Sequence, residues 1–264
     1  MDFSRVLAAL PSNESTTEPS FAFSIHKCGS TMMHAMINDT CHIAKIPAIS
    51  LPDRFFEAGL SDQDWQAEAA LVPTFSRNIL YFGFRYLPAL MCRPELKLRE
   101  KRFVLLVRDP RDALVSQYFS FGRKKTTHNV PKQNSAAFLK KIHDQPELGI
   151  DEYVLNSAEV LRNKFAAYRD NLNFDLGMTR RYEDVFFDKQ TFLAEIFEFF
   201  DIAVPADVIE RVAKKHDIRP NVEDDTKHIR KGAPGDHAEK LQPETIAKLN
   251  ELFRDVAQFY GYAL

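Results

Sequence analysis

Hydrophobic positions fall into two rhythms along this chain. Continuous apolar runs at Phe21–Ile25, 78–84 and Phe103–Val107 predict strands covered on both faces, as in a parallel sheet, and Leu176–Tyr182 reads as a further strand. Helical spacing follows each run. Thr31–Ile37 has helical composition, and Pro110–Phe121 starts with Asp109 as N-cap and Pro110 at the first helical position. Residues 151–172 and 189–200 repeat at the helical period, with Phe192, Ile196, Phe197 and Phe200 on one face. Pro243–Tyr260 closes the chain with Ile246, Leu249, Leu252, Phe253 and Val256 inward, and residues 53–72 predict a partly helical excursion around Trp65. The β-α-β-α order predicts a three-layer α/β/α fold with a central, mostly parallel sheet, whose ligands bind at the carboxyl ends of the strands.

Two polar stretches interrupt this pattern. Pro11–Ser20 predicts a loop entering the first strand, and Asn221–Ala238, charged and glycine-bearing, predicts a long surface loop of the kind that carries function. No repeat or compositional boundary divides the 264 residues, so a single domain is expected. A net charge of −2 offers no broad footprint for nucleic acid or an anionic membrane, so any anion site is local. The first residues are too weakly apolar for a signal segment or membrane span, and a cytoplasmic protein is expected. Three cysteines without ligand spacing argue against a disulfide framework and against a metal site. Cys28, beside Lys27 at a helix start, has a setting that favours thiolate, or it is simply a small residue that fits the turn.

Candidate chemistry concentrates in three places. Ile25-His26-Lys27-Cys28-Gly29-Ser30-Thr31 reads as a strand passing through a tight turn into a helix, whose unpaired N–H groups and dipole favour a phosphate or sulfate. It is not a G-x-x-x-x-G-K-[ST] loop, because Gly29 follows the lysine. Alone, it also fits an ordinary turn with Ser30 as N-cap. Arg108 leaves the Phe103–Val107 strand, and Ser116 follows two turns into the next helix. That cation and hydroxyl suit a phosphate, whereas pairing of Arg108 with Asp109 or Asp112 is the plainer alternative. Arg230-Lys231-Gly232 either closes over an anion or is a solvated charge run.

Taken in order, these segments resemble the sulfotransferases that use 3′-phosphoadenosine 5′-phosphosulfate (PAPS). His26–Thr31 is similar to the family's P-K-S-G-T-T loop, and Arg108–Ser116 to its R-[ND]-P-[RK]-D-x-x-x-S segment. Arg181-Tyr182-Glu183-Asp184 resembles its R-Y-E-D element, and the run from Arg230-Lys231-Gly232 to Gly235-Asp236 its R-K-G-x-x-G-D loop. The resemblance spans about residues 21–262. It implies a P-loop-like fold over 1–264, with 1–20 as an N-terminal extension and 219–240 covering the donor. It further implies sulfuryl transfer from PAPS, leaving 3′-phosphoadenosine 5′-phosphate (PAP), with no metal. By carry-over, Lys27 meets the leaving oxygen, while Cys28, Gly29, Ser30 and Thr31 surround the 5′-phosphate. Arg108, Ser116, Arg230, Lys231 and Gly232 are placed around the 3′-phosphate, with Met32 and Tyr182 against adenine.

The histidine base of many cytosolic members has no counterpart in Phe84-Arg85-Tyr86-Leu87-Pro88. Asp53, before Phe55-Phe56, is the first candidate, although it also suits a helix N-cap. His34, His26 and Glu57 follow, and Tyr86 is a poor base at neutral pH. The expected acceptor is a small molecule bearing a hydroxyl or amine. Its pocket is lined by Tyr81, Phe82, Phe84, Tyr86, Tyr118, Phe119 and Phe121, or Asp53 and Glu57 bind a cationic acceptor. A homodimer is compatible with this reading. The rival readings are a P-loop kinase of nucleosides or small molecules and a non-catalytic nucleotide-binding protein of the same fold.

Overall fold

Five parallel strands form one sheet in the order β2-β3-β1-β4-β5 in the computed structural model, which describes Phe3, Leu7 and residues 18–76, 79–122, 148–220, 223 and 234–264. The strands are β1 (Ser20–Ser24), β2 (Ala48–Ile49), β3 (Leu80–Phe84), β4 (Phe103–Val107) and β5 (Gly177–Arg181). β1 lies between β3 and β4. The chain therefore turns to opposite sides of β1 before and after β3, and the loop leaving β1 opens at the switch point of the sheet.

Strand alternation divides the core into two layers. Phe21, Phe23, Tyr81, Phe84, Phe103, Leu105 and Val107 face the helices Ile150–Asn171 and Pro243–Phe259. Ala22, Leu80, Phe82, Val104 and Leu106 face the helices Ser30–Ala44, Lys189–Phe199 and Ala206–His216. These burials on both faces explain the unbroken apolar runs in the sequence.

Several boundaries differ from the sequence reading. The first helix extends to Ala44, and its N-cap is Gly29 in left-handed conformation (φ 89°), which places Ser30 inside the helix. The Pro110 helix ends at Gln117 and widens into a π turn at Tyr118–Gly122. The 53–72 excursion comprises the helices Leu51–Glu57 and Asp62–Trp65 and a 3₁₀ segment, Ala69–Ser76. Ala206–His216 is a further helix, in which Val208, Ile209, Val212 and Ala213 form the buried stripe among charged residues. Within the anticipated long loop, Asp236–Lys240 is a short helix. Arg230, Lys231 and Gly232, and most of the 1–20 extension, lie outside the described residues. No helix among the described residues is long and apolar enough to cross a membrane.

Candidate active site

The turn after β1 holds two residues at positive φ, Lys27 (66°) and Gly29 (89°), with Cys28 N–H donating to the Ile25 carbonyl at 3.0 Å. A left-handed lysine is a strained conformation, and such strain collects where side-chain direction matters. Lys27 Nζ donates to Ser120 Oγ at 2.7 Å, and the Phe121 ring lies 5.8 Å away. The π turn carries Ser120 and Phe121, an irregularity that recurs at functional sites. Burial, reinforced by the positive charges of Arg108 and Arg85, brings the Lys27 ammonium down to about 8. Cys28 is fully buried and burial pushes its thiol up, so the thiolate reading does not hold. Its side chain packs into the core and shapes the turn.

Tyr182 joins the loop to Arg108. A Cβ at Gly29 would lie 2.6 Å from the Tyr182 ring, so only glycine admits this contact, and the Arg108 guanidinium lies 4.7 Å from the centre of the same ring. Met32 packs against the same cluster as Tyr182. Ser30 and Thr31 open the helix with partly or fully exposed side chains, above N–H groups that have no earlier helical partner.

Arg108 is buried and pairs with Asp112 at 3.5 Å, as the plainer sequence alternative had it, while its Nε is buried without a hydrogen-bond partner. An orphaned guanidinium nitrogen is costly unless a ligand completes it, so the ion pair with Asp112 does not use up the donors that an anion would need. Asp109 instead caps its helix by accepting from Arg111 N–H, and its carboxylate is held by the Arg111 guanidinium at 2.6 and 3.0 Å. Ser116 lies one turn beyond Asp112 on the same helix and is half-buried.

Asp112 is a second junction that the sequence alone does not reveal. Its carboxylate accepts from Gly235 N–H at 2.6 Å and His237 N–H at 2.9 Å, and it meets His237 Nδ1 at 2.7 Å. Burial alone would raise this carboxyl, but His237, Arg108 and the two backbone donors hold it well below the usual carboxylate range. Glu183 is a third junction. It accepts from Asp109 N–H and from Tyr262 hydroxyl, both at 2.9 Å, and so ties the Arg181–Asp184 segment to the base of the Arg108 turn.

On the opposite side of Lys27, two candidate bases form one pair. His34 Nε2 and Asp53 Oδ2 are 2.8 Å apart, with side chains 20% and 42% exposed. Ser50, rather than Asp53, caps the Leu51–Glu57 helix by accepting from Asp53 N–H. Burial would raise the Asp53 carboxyl, but the hydrogen bond and charge of His34, with Arg85 and Ser50, lower it. Glu57 is exposed and paired with Arg54 at 3.1 Å. His26 lies against the Phe121 ring, 5.5 Å between centres. Burial and Asp62 push the Tyr86 hydroxyl further up, which removes it as a base. Of the aromatic residues expected around an acceptor, Tyr81, Phe82 and Phe84 belong to the core, while Tyr86, Tyr118, Phe119 and Phe121 are only partly buried. Among the described residues, no group of three His, Cys, Asp or Glu side chains is arranged to hold a metal ion.

Comparison with known proteins bears on the fold and the family. The chain is similar over 97% of its length to mouse sulfotransferase SULT7A1, solved with PAP, at 19% identity, 90% coverage of that chain and a TM-score of 0.53. A retinol dehydratase solved with androsterone and PAP is similar at 16% identity, covering 91% of this chain and 80% of that one, with a TM-score of 0.47. No curated protein matches. The sulfotransferase domain model matches residues 18–261. The loop after β1, the Arg108 turn and the Arg181–Asp184 segment all lie inside that match, and the chain belongs to the sulfotransferase domain family.

Proposed function

We propose that the cleft at the carboxyl ends of β1, β3 and β4 takes PAPS and passes its sulfuryl group to a hydroxyl or amine of a small-molecule acceptor in the cytoplasm. The chain is a PAPS-dependent sulfotransferase by family, and no match supports the kinase alternative. The observation that carries the site assignment is the joint approach of Gly29 and Arg108 to Tyr182, which sets the Lys27–Gly29 turn, suited to an anion, beside a second buried cation with an unfilled donor. A nucleotide phosphorylated at both the 5′ and 3′ positions fits two such anion sites.

In the reaction, the acceptor oxygen or nitrogen attacks sulfur, and the S–O bond to the 5′-phosphate breaks with its electron pair remaining on PAP. Negative charge grows on that bridging oxygen, where an ammonium is worth most, and Lys27 is assigned there. Gly29, Ser30 and Thr31 hold the 5′-phosphate, and Arg108 and Ser116 the 3′-phosphate, with Met32 and Tyr182 beside the base. The outside-lying Arg230, Lys231 and Gly232 are assigned to the 3′-phosphate from their sequence alone. The acceptor's proton goes to the His34–Asp53 pair, with Asp53 as its more exposed end. His34 orients that carboxylate and keeps it ionised.

Incubation of the purified chain with sulfur-labelled PAPS and a panel of phenols, alcohols and amines tests this assignment. Labelled product with at least one acceptor is expected. PAP binding without transfer to any acceptor would leave a nucleotide-binding protein and no enzyme.

A further inference from the structure

Two arginine–aspartate pairs stand in the turn after β4, and they are built in opposite ways. Arg111 is used up by its partner. Its Nε donates to Asp109 Oδ1 at 3.0 Å and its Nη2 to Oδ2 at 2.6 Å, while other N–H groups of the same guanidinium reach Asn250 and the Ala263 carbonyl. Arg108 is not. Its Nη2 reaches Asp112 Oδ2 only at 3.5 Å, well beyond the usual span of about 2.7–2.9 Å for a charge-assisted bond. Its buried Nε has no hydrogen-bond partner among the described residues. Solvent does not explain the gap, because the two side chains are 9% and 1% exposed.

The difference lies in what else holds each carboxylate. Asp112 is gripped from outside its own helix, by Gly235 and His237 at the start of the Asp236–Lys240 helix. Gly235, at φ 95°, turns the chain so that its own N–H and that of His237 point at one carboxylate. Oδ2 accepts from Gly235 at 2.6 Å, and Oδ1 accepts from His237 N–H at 2.9 Å and stands 2.7 Å from His237 Nδ1. An ionised carboxylate only accepts, so Nδ1 carries the proton in this contact. These donors fill most of the roughly four lone-pair positions that a carboxylate offers. For Arg108 to close on both oxygens, as Arg111 closes on Asp109, they would have to be displaced.

We propose that His237 is a positioning residue for Arg108: it holds the Asp112 carboxylate back from a closed ion pair and so leaves the guanidinium to the donor's 3′-phosphate. This role rests on the assignment of Arg108 to that phosphate. Without the imidazole, Oδ1 loses its shortest bond, and Asp112 is free to close on Arg108 Nε and Nη2. The phosphate would then have to break a formed, buried ion pair before it could bind. The effect is confined to one end of the nucleotide. Among the described residues, the Lys27–Gly29 turn shares no hydrogen bond with Asp112 or His237, so the 5′-phosphate does not feel the change.

Calorimetric titration of the full chain with PAP and with adenosine 5′-monophosphate tests this role, because the ratio of the two affinities reads the 3′-phosphate alone. His237→Ala should lower the preference for PAP about 10-fold, with adenosine 5′-monophosphate binding held within about two-fold. His237→Asn, whose amide N–H can replace Nδ1–H, should recover most of the preference. In an Asp112→Asn background no charge is left to close on Arg108, and His237→Ala should then shift the preference by less than about two-fold. An unchanged preference in His237→Ala, an equal loss for both nucleotides, or the same loss in the Asp112→Asn background would overturn the role of His237 with the donor site intact. A wild type that binds PAP no more tightly than adenosine 5′-monophosphate would instead bring down the 3′-phosphate assignment, and this role with it.

Discussion

The two halves of the cleft are built differently. On the proposed donor half, the described cations are held in place, Arg108 between Asp112 and the Tyr182 ring and Lys27 against Ser120, and the Asp112 carboxylate is itself fixed by Gly235 and His237. On the proposed acceptor half, Asp53 is partly exposed in the first turn of a short helix, and Arg85, just past β3, is exposed. Preorganised charge suits a nucleotide whose shape never varies, because the ordering cost is met during folding rather than on binding. A looser rim suits an acceptor that differs between relatives of one fold.

The sharpest division between the halves is expected at Lys27. Lys27→Ala should lower kcat by about 10³-fold while PAP affinity changes little, as for loss of one group that meets transition-state charge. Calorimetry alongside initial rates checks it, and a large affinity loss with unchanged kcat would place Lys27 in ground-state binding. Asp53→Asn should reduce kcat by about 10²-fold and leave PAP binding intact, with His34→Asn following the same pattern. A loss of PAP affinity in either variant would move the pair out of the acceptor half.

Arg108→Ala should weaken PAP by roughly 10-fold to 100-fold but adenosine 5′-monophosphate by far less, because only the 3′-phosphate is unpaired. Equal weakening would mean that the substitution acts through the fold. The mildest effect is one of pH. Lys27 must be protonated to serve the leaving oxygen, and in the free enzyme it loses that proton near pH 8. Accordingly, kcat/KM for PAPS should be level below about pH 8 and fall above it, whereas an ordinary lysine would sustain it beyond pH 10. A profile level to pH 10 would assign the descending limb elsewhere.

The elements that carry the proposed donor half were largely legible because they are contiguous in sequence. A strand, a glycine turn and a helix start are encoded within Phe21–Ile37, and Arg108 follows directly from the next strand. Both sequence readings of Arg108 proved compatible, since its pair with Asp112 leaves Nε unfilled. Contacts that depend on changes of phase were not legible. Ser120 reaches Lys27 only through the π turn that replaces the expected α-helix. Asp53 and His34 were separate candidates, and their pairing depends on how the Leu51 helix docks beside β3. Ala206–His216 did carry a readable stripe in Val208, Ile209, Val212 and Ala213.

β3 carries one residue more than β1 where the two pair, at Gly83, and this surplus bears on how such a site changes over time. Phe21 pairs with Tyr81 and Phe23 with Phe84, so deleting Gly83 would leave Tyr81 and Phe84 two positions apart and still in one core layer; what it would remove is the positive φ and the Cβ-free surface against which Ser50 and His34 close. The length of this strand therefore sets how closely the neighbouring helices approach its end, while the faces of its core side chains stay as they are.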